Sequence, residues 1–219
     1  MLNQKYNIRV LILVTDVTRQ KNTNEFNSNT SCTRQCRYLY HRPNSKKRYA
    51  PNEKILDAGC AEGRNLKWFY ANDYDIYGLD TDNQRLENAK LNYPKSASNF
   101  KVGNIDDLPY GENEFHHIFC SAVLHFAESE EHFFKMFSEL VRVLKPNGTL
   151  LIRMGSDIGL DGNVPYLKES KTNRAGTFFL TRGHIKALLE NHEIELIEPV
   201  KTTNVEDKRA MTTLIFCKV

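Results

Sequence analysis

From residue 52 onward, short apolar runs alternate with stretches of helical period, and this rhythm constrains the fold more than any other feature. Lys54-Ile55-Leu56-Asp57 is apolar and ends in an acid, with Gly59 and Gly63 just beyond. Leu66, Phe69 and Tyr70 then recur at the spacing of one helix face. Ile76-Tyr77-Gly78-Leu79 is a second run, ending at Asp80, and Leu86 and Ala89 mark the helix after it. Phe100–Val102, His117–Cys120 and Leu150–Ile152 read as further strands. Ser129 is placed to cap a helix with Phe133, Met136, Phe137, Leu140, Val141 and Leu144 inward, broken at Pro146-Asn147-Gly148. Thr181 is placed to cap another, with Ile185, Leu188 and Leu189 inward, and Ile194–Ile197 and Thr212–Phe216 read as closing strands.

Alternating strands and helices require a parallel sheet covered on both faces. The link from Pro199 to Met211 suits a hairpin rather than a helical crossover. The expectation is an α/β, Rossmann-like, doubly wound sheet of seven strands, mostly parallel with an antiparallel edge strand. About 170 residues are enough for one independent core.

Residues 1–50 differ in texture. They hold no Gly and one Pro, and 17–37 are mostly Thr, Asn, Arg, Gln and Ser. Ten Lys+Arg against two Asp+Glu put +8 in this arm, while residues 51–219 carry −5, so the net +3 hides an asymmetry. Such a segment buries too little surface to offset its ordering entropy, so it reads as a disordered or loosely attached arm. Val10–Val14 could be a short strand or a helix turn. Tyr38, Tyr40 and Tyr49 lie among basic residues, which would suit stacking on nucleic acid. A solvated basic arm is the simpler reading, and the acidic body suits no polyanion.

The five cysteines are odd in number and irregularly spaced, unlike a disulfide framework, which points to a reducing, cytoplasmic setting. Cys32, Cys36 and His41 offer three ligands where a structural zinc needs four, so no metal is expected. No apolar run reaches the roughly 18 residues of a membrane span.

In an open parallel sheet, ligands bind beyond the carboxyl ends of the strands. The first such turn is Asp57-Ala58-Gly59-Cys60-Ala61-Glu62-Gly63-Arg64-Asn65, and Asp80 ends the next strand 23 positions after Asp57. An acid there can accept hydrogen bonds from both ribose hydroxyls. The dinucleotide pattern G-x-G-x-x-G fails at Ala61 and Arg64, and no phosphate-binding loop of the G-x-x-x-x-G-K-[ST] form is present. Asp57 and Glu62 would repel a pyrophosphate. They suit a ligand that carries an ammonium or a sulfonium, which favours S-adenosyl-L-methionine over NAD or ATP.

At these residues the chain resembles the class I S-adenosylmethionine-dependent methyltransferases. Ile55–Gly63 is similar to their first motif, and Gly78-Leu79-Asp80 to their ribose-binding strand end. Gly103-Asn104-Ile105-Asp106-Asp107-Leu108-Pro109 is similar to their adenine-side segment. Phe115–His125 resembles the fourth strand and its exit, and Leu144–Leu150 the turn before strand five. The resemblance spans about residues 52–219 and implies a methyltransferase domain at 51–219.

It further implies Asp57, Gly59, Cys60 and Ala61 around the methionine part, with Ser121 or Cys120 lining the same pocket. Asp80 would take the ribose, and Thr81, Asn104 and Ile105 the adenine. His125 would face the transferred methyl as a candidate base. The implied activity is methyl transfer to a small-molecule acceptor by in-line displacement. Polar residues at 155–180 would serve as lid and specificity loop, and Arg153, Lys168, Lys171, Arg174 and Arg182 could attract an acidic substrate. An RNA or protein methyltransferase using the basic arm, or a non-catalytic cofactor binder, are the alternatives. Ala61 stands where the family has a second glycine, Asn104 where Asp is common, and His116 where Asp is frequent. Glu62 reads as a cap of the following helix and Trp68 as packing.

Overall fold

The computed structural model describes residues 49–50, 52–160 and 178–219. The expectations for Val10–Val14, for Cys32, Cys36 and His41, for the arm up to residue 48, and for positions 161–177 of the polar loop lie outside these residues.

The elements run in chain order as β1 (Lys54–Ala58), α1 (Lys67–Ala71), β2 (Asp75–Asp80), α2 (Asn83–Asn92), β3 (Phe100–Val102), β4 (Phe115–Ser121), α3 (Glu130–Val143), β5 (Leu144–Ser156), α4 (Arg182–Asn191), β6 (Ile194–Leu196), β7 (Lys201–Val205) and β8 (Arg209–Lys218). The sheet order is β3-β2-β1-β4-β5-β8-β6, with β7 paired to β8 off that path. Strands β1 to β5 pair in parallel, and β8 is antiparallel to β5, β6 and β7.

The path has the seven positions expected, and an eighth strand shares its outer end. β6 pairs with Phe216–Lys218 and β7 with Arg209–Thr213, while β5 covers the other side of the same strand. β6 and β7 therefore lie end to end along one flank of β8. The β7–β8 turn passes through Glu206 and Asp207, both with positive φ, the twist that tight hairpins prefer.

Neighbouring residues of each central strand point to opposite faces, and both faces are buried. Ile55 and Phe119 face one core, with Phe69 of α1 and Leu86 and Ala89 of α2. Leu56 and Ile118 face the other, with Phe133, Phe137 and Leu140 of α3 and Ile185 and Leu188 of α4. Each of the Leu, Ile and Phe side chains here contributes about 1.5–3 kcal/mol by leaving water.

The helix starts follow their caps. The Ser129 hydroxyl accepts from His132 N, with Glu130 and Glu131 in the first turn of α3. Asp82 accepts from Arg85 N at α2. Thr181 and His184 bond reciprocally at α4. At the far end of α3, Lys218 Nζ donates to the carbonyls of Val141 and Leu144 and to Asn113 Oδ1 at 2.8–2.9 Å. This ties β8 to the carbonyl end of α3.

Tyr49 belongs to the body rather than to an arm. It is buried, with its ring edge-on to Phe69 and to His117 at 5.1 and 4.6 Å between centroids.

Candidate active site

β1 lies between β2 and β4, where the winding reverses direction. Two crossovers leave in opposite directions from this point, and the gap between them opens beyond the strands' carboxyl ends. A cavity of about 940 Å³ sits there.

Its floor is the turn after β1. Gly59 and Gly63 have φ of 80° and 76°, and Ala61 has φ of 49°. The N–H groups of Gly59 and Cys60 both donate to Leu79 O, at 2.7 and 2.9 Å, which locks the turn onto β2. A Cβ on Gly59 would lie 2.3 Å from Val123 Cγ2, so only glycine lets the segment after β4 close against the turn. Ala61 adopts the left-handed backbone that glycine takes without penalty, at a cost of about 1–2 kcal/mol.

Asp80 forms the wall beside the floor. Its Oδ2 accepts from Ala61 N at 2.8 Å and its Oδ1 from Asp82 N at 3.0 Å. Each oxygen keeps a lone pair, so the carboxylate is held in place and can still accept from a diol.

Asp57 does not line the cavity; it lies behind it. Its carboxylate is fully buried, and Asn65 Nδ2 donates to both oxygens at 3.2 Å. Burial pushes its pKa up to about 7, with the Asn65 bond opposing and the negative Asp80 assisting.

Gly59, Cys60, Ala61, Asp80, Thr81, Asn104, Ile105, Ser121 and His125 all line the cavity. The structure therefore brings together His125 and every residue proposed for the cofactor except Asp57, whereas Arg153 and Arg182 are not in the lining. Asn65, which spans Asp57 and the cavity, is absent from the sequence-based set. So are Val123, Phe126, His132 and Met136 on the far wall. Asn65 had one available signal: it follows Asp57 by eight positions and enters the first helical turn.

Cys60 and Cys120 are buried, and burial raises both thiols far above neutrality, which leaves them unreactive packing groups. His116 and His117 lie near the start of β4, away from the cavity. His116 Nδ1 accepts from Lys54 N, and its Nε2 meets Lys145 Nζ. The His117 ring bridges Glu53 and Thr149. Glu62 does not cap the next turn; Gly63 occupies the cap position without a side-chain bond, and Glu62 accepts from Asn88 at 3.5 Å. Trp68 packs edge-on against Phe69, as expected.

Charge decides what the cavity suits. Glu62, Asp80, Asp82 and Asp106 line it against Arg64 and Arg85. That balance disfavours a pyrophosphate and accommodates a ligand with cationic groups. A fixed carboxylate for a diol, a glycine cradle and an acidic surround fit S-adenosyl-L-methionine, the cofactor expected for this fold. Among the described residues, no group of three or more metal-ligating side chains occurs, and no helix is long and apolar enough to cross a membrane.

Comparison with known proteins agrees. Residues 56–152 match the model of the methyltransferase domain. An uncharacterized methyltransferase of Synechocystis is 32% identical over 99 residues, covering 45% of this chain and 45% of that protein. A malonyl-[acyl-carrier protein] O-methyltransferase of Erwinia pyrifoliae is 29% identical over 129 residues, covering 58% of this chain and 45% of the relative. The chain thus spans less than half the length of these curated relatives. The crystal structure of a SAM-dependent methyltransferase of Methanosarcina mazei superposes with a TM-score of 0.64 at 19% identity, covering 81% of this chain and 98% of that one. At that identity the likeness carries the fold alone. Residues 56–152 thus match a methyltransferase domain, and 81% of the chain shares the fold of a solved SAM-dependent methyltransferase.

Proposed function

We propose that the protein transfers a methyl group from S-adenosyl-L-methionine to a small-molecule acceptor by in-line displacement. The observation that carries this reading is the Asp80 carboxylate, oriented by Ala61 N and Asp82 N at the wall of an acid-lined cavity. The bound cofactor supplies a methyl already activated by its sulfonium.

The chain's own residues bind and orient. Asp80 accepts from the ribose hydroxyls. Thr81, Asn104 and Ile105 face the adenine, with Asn104 offering an acceptor to its amino group. Gly59, Cys60, Ala61 and Ser121 surround the methionine part, and Asp57 acts on its ammonium from behind, through the field that Asn65 relays. His125, in the short turn Leu124–Phe126, stands at the acceptor end. Proximity and alignment in such a cavity supply most of the rate. The acidic lining also weighs against a nucleic-acid acceptor.

Calorimetry with S-adenosyl-L-methionine, on the full chain and on Asp80→Ala, tests the reading. Binding by the wild type and its loss in the variant is the expected result. No binding by folded wild type overturns the proposal. Transfer of a labelled methyl to a metabolite pool, against RNA and protein as acceptors, then separates a small acceptor from a macromolecular one.

A further inference from the structure

Besides its apolar face, α3 carries a polar stripe. His132, Lys135, Glu139 and Arg142 stand at i, i+3, i+7 and i+10, which places them along one side of the helix. The stripe follows the loop at 103–110, whose residues Asn104, Ile105 and Asp106 line the cavity. Lys135 Nζ donates to Asp106 Oδ2 at 3.2 Å, and His132 Nε2 lies 3.9 Å from the same oxygen. Glu139 and Arg142 meet the loop further on, outside the cavity lining.

Both backbone groups of Leu108 are engaged there. Its N–H donates to Glu139 Oε2 at 2.8 Å, and its carbonyl accepts from Arg142 Nη2 at 3.1 Å. Arg142 Nη1 donates to Tyr110 O at 2.9 Å. The pair closes on itself, Nε to Oε1 at 2.6 Å and Nη2 to Oε2 at 2.8 Å. An exposed ion pair alone contributes little. Here the side chains are only 19% and 31% exposed, and the planar fork holds its acceptors in fixed directions. The Arg142 bonds, against the effect of burial, keep the Glu139 carboxyl below its ordinary range, and the Leu108 N–H assists. At the other end of the loop, Gly103 N donates to Asp80 O at 3.1 Å. Residues 104–107 are therefore suspended between the backbone of Asp80 and an ion pair on α3.

We infer, on the methyl-transfer reading above, that Glu139 and Arg142 are positioning residues for the cofactor's base: by fixing Leu108 they set the place of Asn104 and Ile105. Neither side chain touches the base. Adenine and hypoxanthine present opposite hydrogen-bonding groups along one ring edge, an acceptor and an amino group in the first, an N–H and a carbonyl in the second. Groups arranged for one are mismatched with the other, and the mismatch rejects the wrong base only while the loop cannot move aside. Releasing the clamp has two consequences. The correct base must order the loop as it binds, so its apparent affinity falls in proportion to the time the loop spends out of place. The wrong base loses less, because the loosened loop can yield to it. Selectivity for the base therefore narrows, which a general loss of stability would not produce.

Calorimetry of the full chain with S-adenosylhomocysteine and with S-inosylhomocysteine, which carries hypoxanthine in place of adenine, tests this. The wild type should prefer the adenine ligand by roughly tenfold or more. Arg142→Met, folded by circular dichroism, should bind S-adenosylhomocysteine about tenfold more weakly and lose less toward the hypoxanthine ligand. Arg142→Lys keeps the charge without the fork and should fall between the two. Glu139→Gln keeps an acceptor for the Leu108 N–H but loses the ion pair, so it should narrow the preference by a smaller factor. These two variants carry the test if Arg142→Met does not fold. A wild type without preference, a preference unchanged in the folded variants, or both ligands weakened by one common factor would overturn the assignment. No binding of either ligand by folded wild type would instead overturn the methyltransferase reading, and the assignment with it.

Discussion

The backbone N–H of Ala61 donates to Oδ2 of Asp80 at 2.8 Å, so the turn after β1 aims the carboxylate that ends β2. Asp80→Asn keeps the size but offers one oxygen for two N–H donors, and its amide would face one of them. Affinity for S-adenosylhomocysteine should fall by about 1.5–3 kcal/mol, roughly ten- to hundredfold, measured by calorimetry.

Ala61→Gly keeps that N–H and removes the left-handed strain. The gain of about 1–2 kcal/mol is offset by about 0.5–1 kcal/mol of added chain entropy in the unfolded state. Thermal unfolding should show the variant equal to or slightly more stable than the wild type, with cofactor affinity preserved. A clear loss of affinity would mean that the methyl itself contacts the ligand.

Gly59 faces Val123 closely enough that a Cβ would overlap its methyl at 2.3 Å. Gly59→Ala should cost about 2–4 kcal/mol from overlap and positive φ together. Adding Val123→Ala should recover the overlap and leave the φ cost, so a double-mutant cycle in urea should show strong coupling.

Asp57 makes stability depend on pH. Its folded pKa of about 7 lies above the ordinary 3.8, so between these values the folded state holds a proton that the unfolded state has lost. The contribution is full below pH 4 and disappears as pH rises to 7. Asp57→Asn should remove this slope and be more stable than wild type at pH 8, by on the order of a few kcal/mol. The readout is the difference between the two proteins' urea midpoints at pH 5 and pH 8.

Lys218→Met removes three hydrogen bonds to the end of α3 and its neighbour Asn113. The expected loss is about 1–3 kcal/mol, or several degrees in melting temperature. Cofactor affinity should not change, because Lys218 is remote from the cavity lining.

Much of this was legible in the chain because apolar period and acid placement are local signals. β1, β2, β4 and α3 announce themselves through Ile55-Leu56, Ile76–Leu79, Ile118–Cys120 and Phe133–Leu140, and Asp80 by standing where β2 stops. β7 was not legible: Lys201-Thr202-Thr203-Asn204-Val205 has no apolar alternation, and pairing to β8 alone makes it a strand. The place of Asp57 behind the cavity was hidden for a different reason. Its depth depends on Asn65 folding across it, a contact that spacing does not reveal. His125 was visible as a cavity residue, but the burial of its Nδ1 without a hydrogen-bond partner depends on packing from distant parts of the chain.

β8 is an interior strand, flanked by β5 and by the β6–β7 pair, although it follows all of them in sequence. As the chain is synthesised, β5 emerges with one flank open and keeps it open until β8 arrives. An unpaired strand flank is a template for pairing with other chains. The interval between making β5 and making β8 is thus a hazardous period for the nascent protein, and translation speed across residues 157–208 would set how long that exposure lasts.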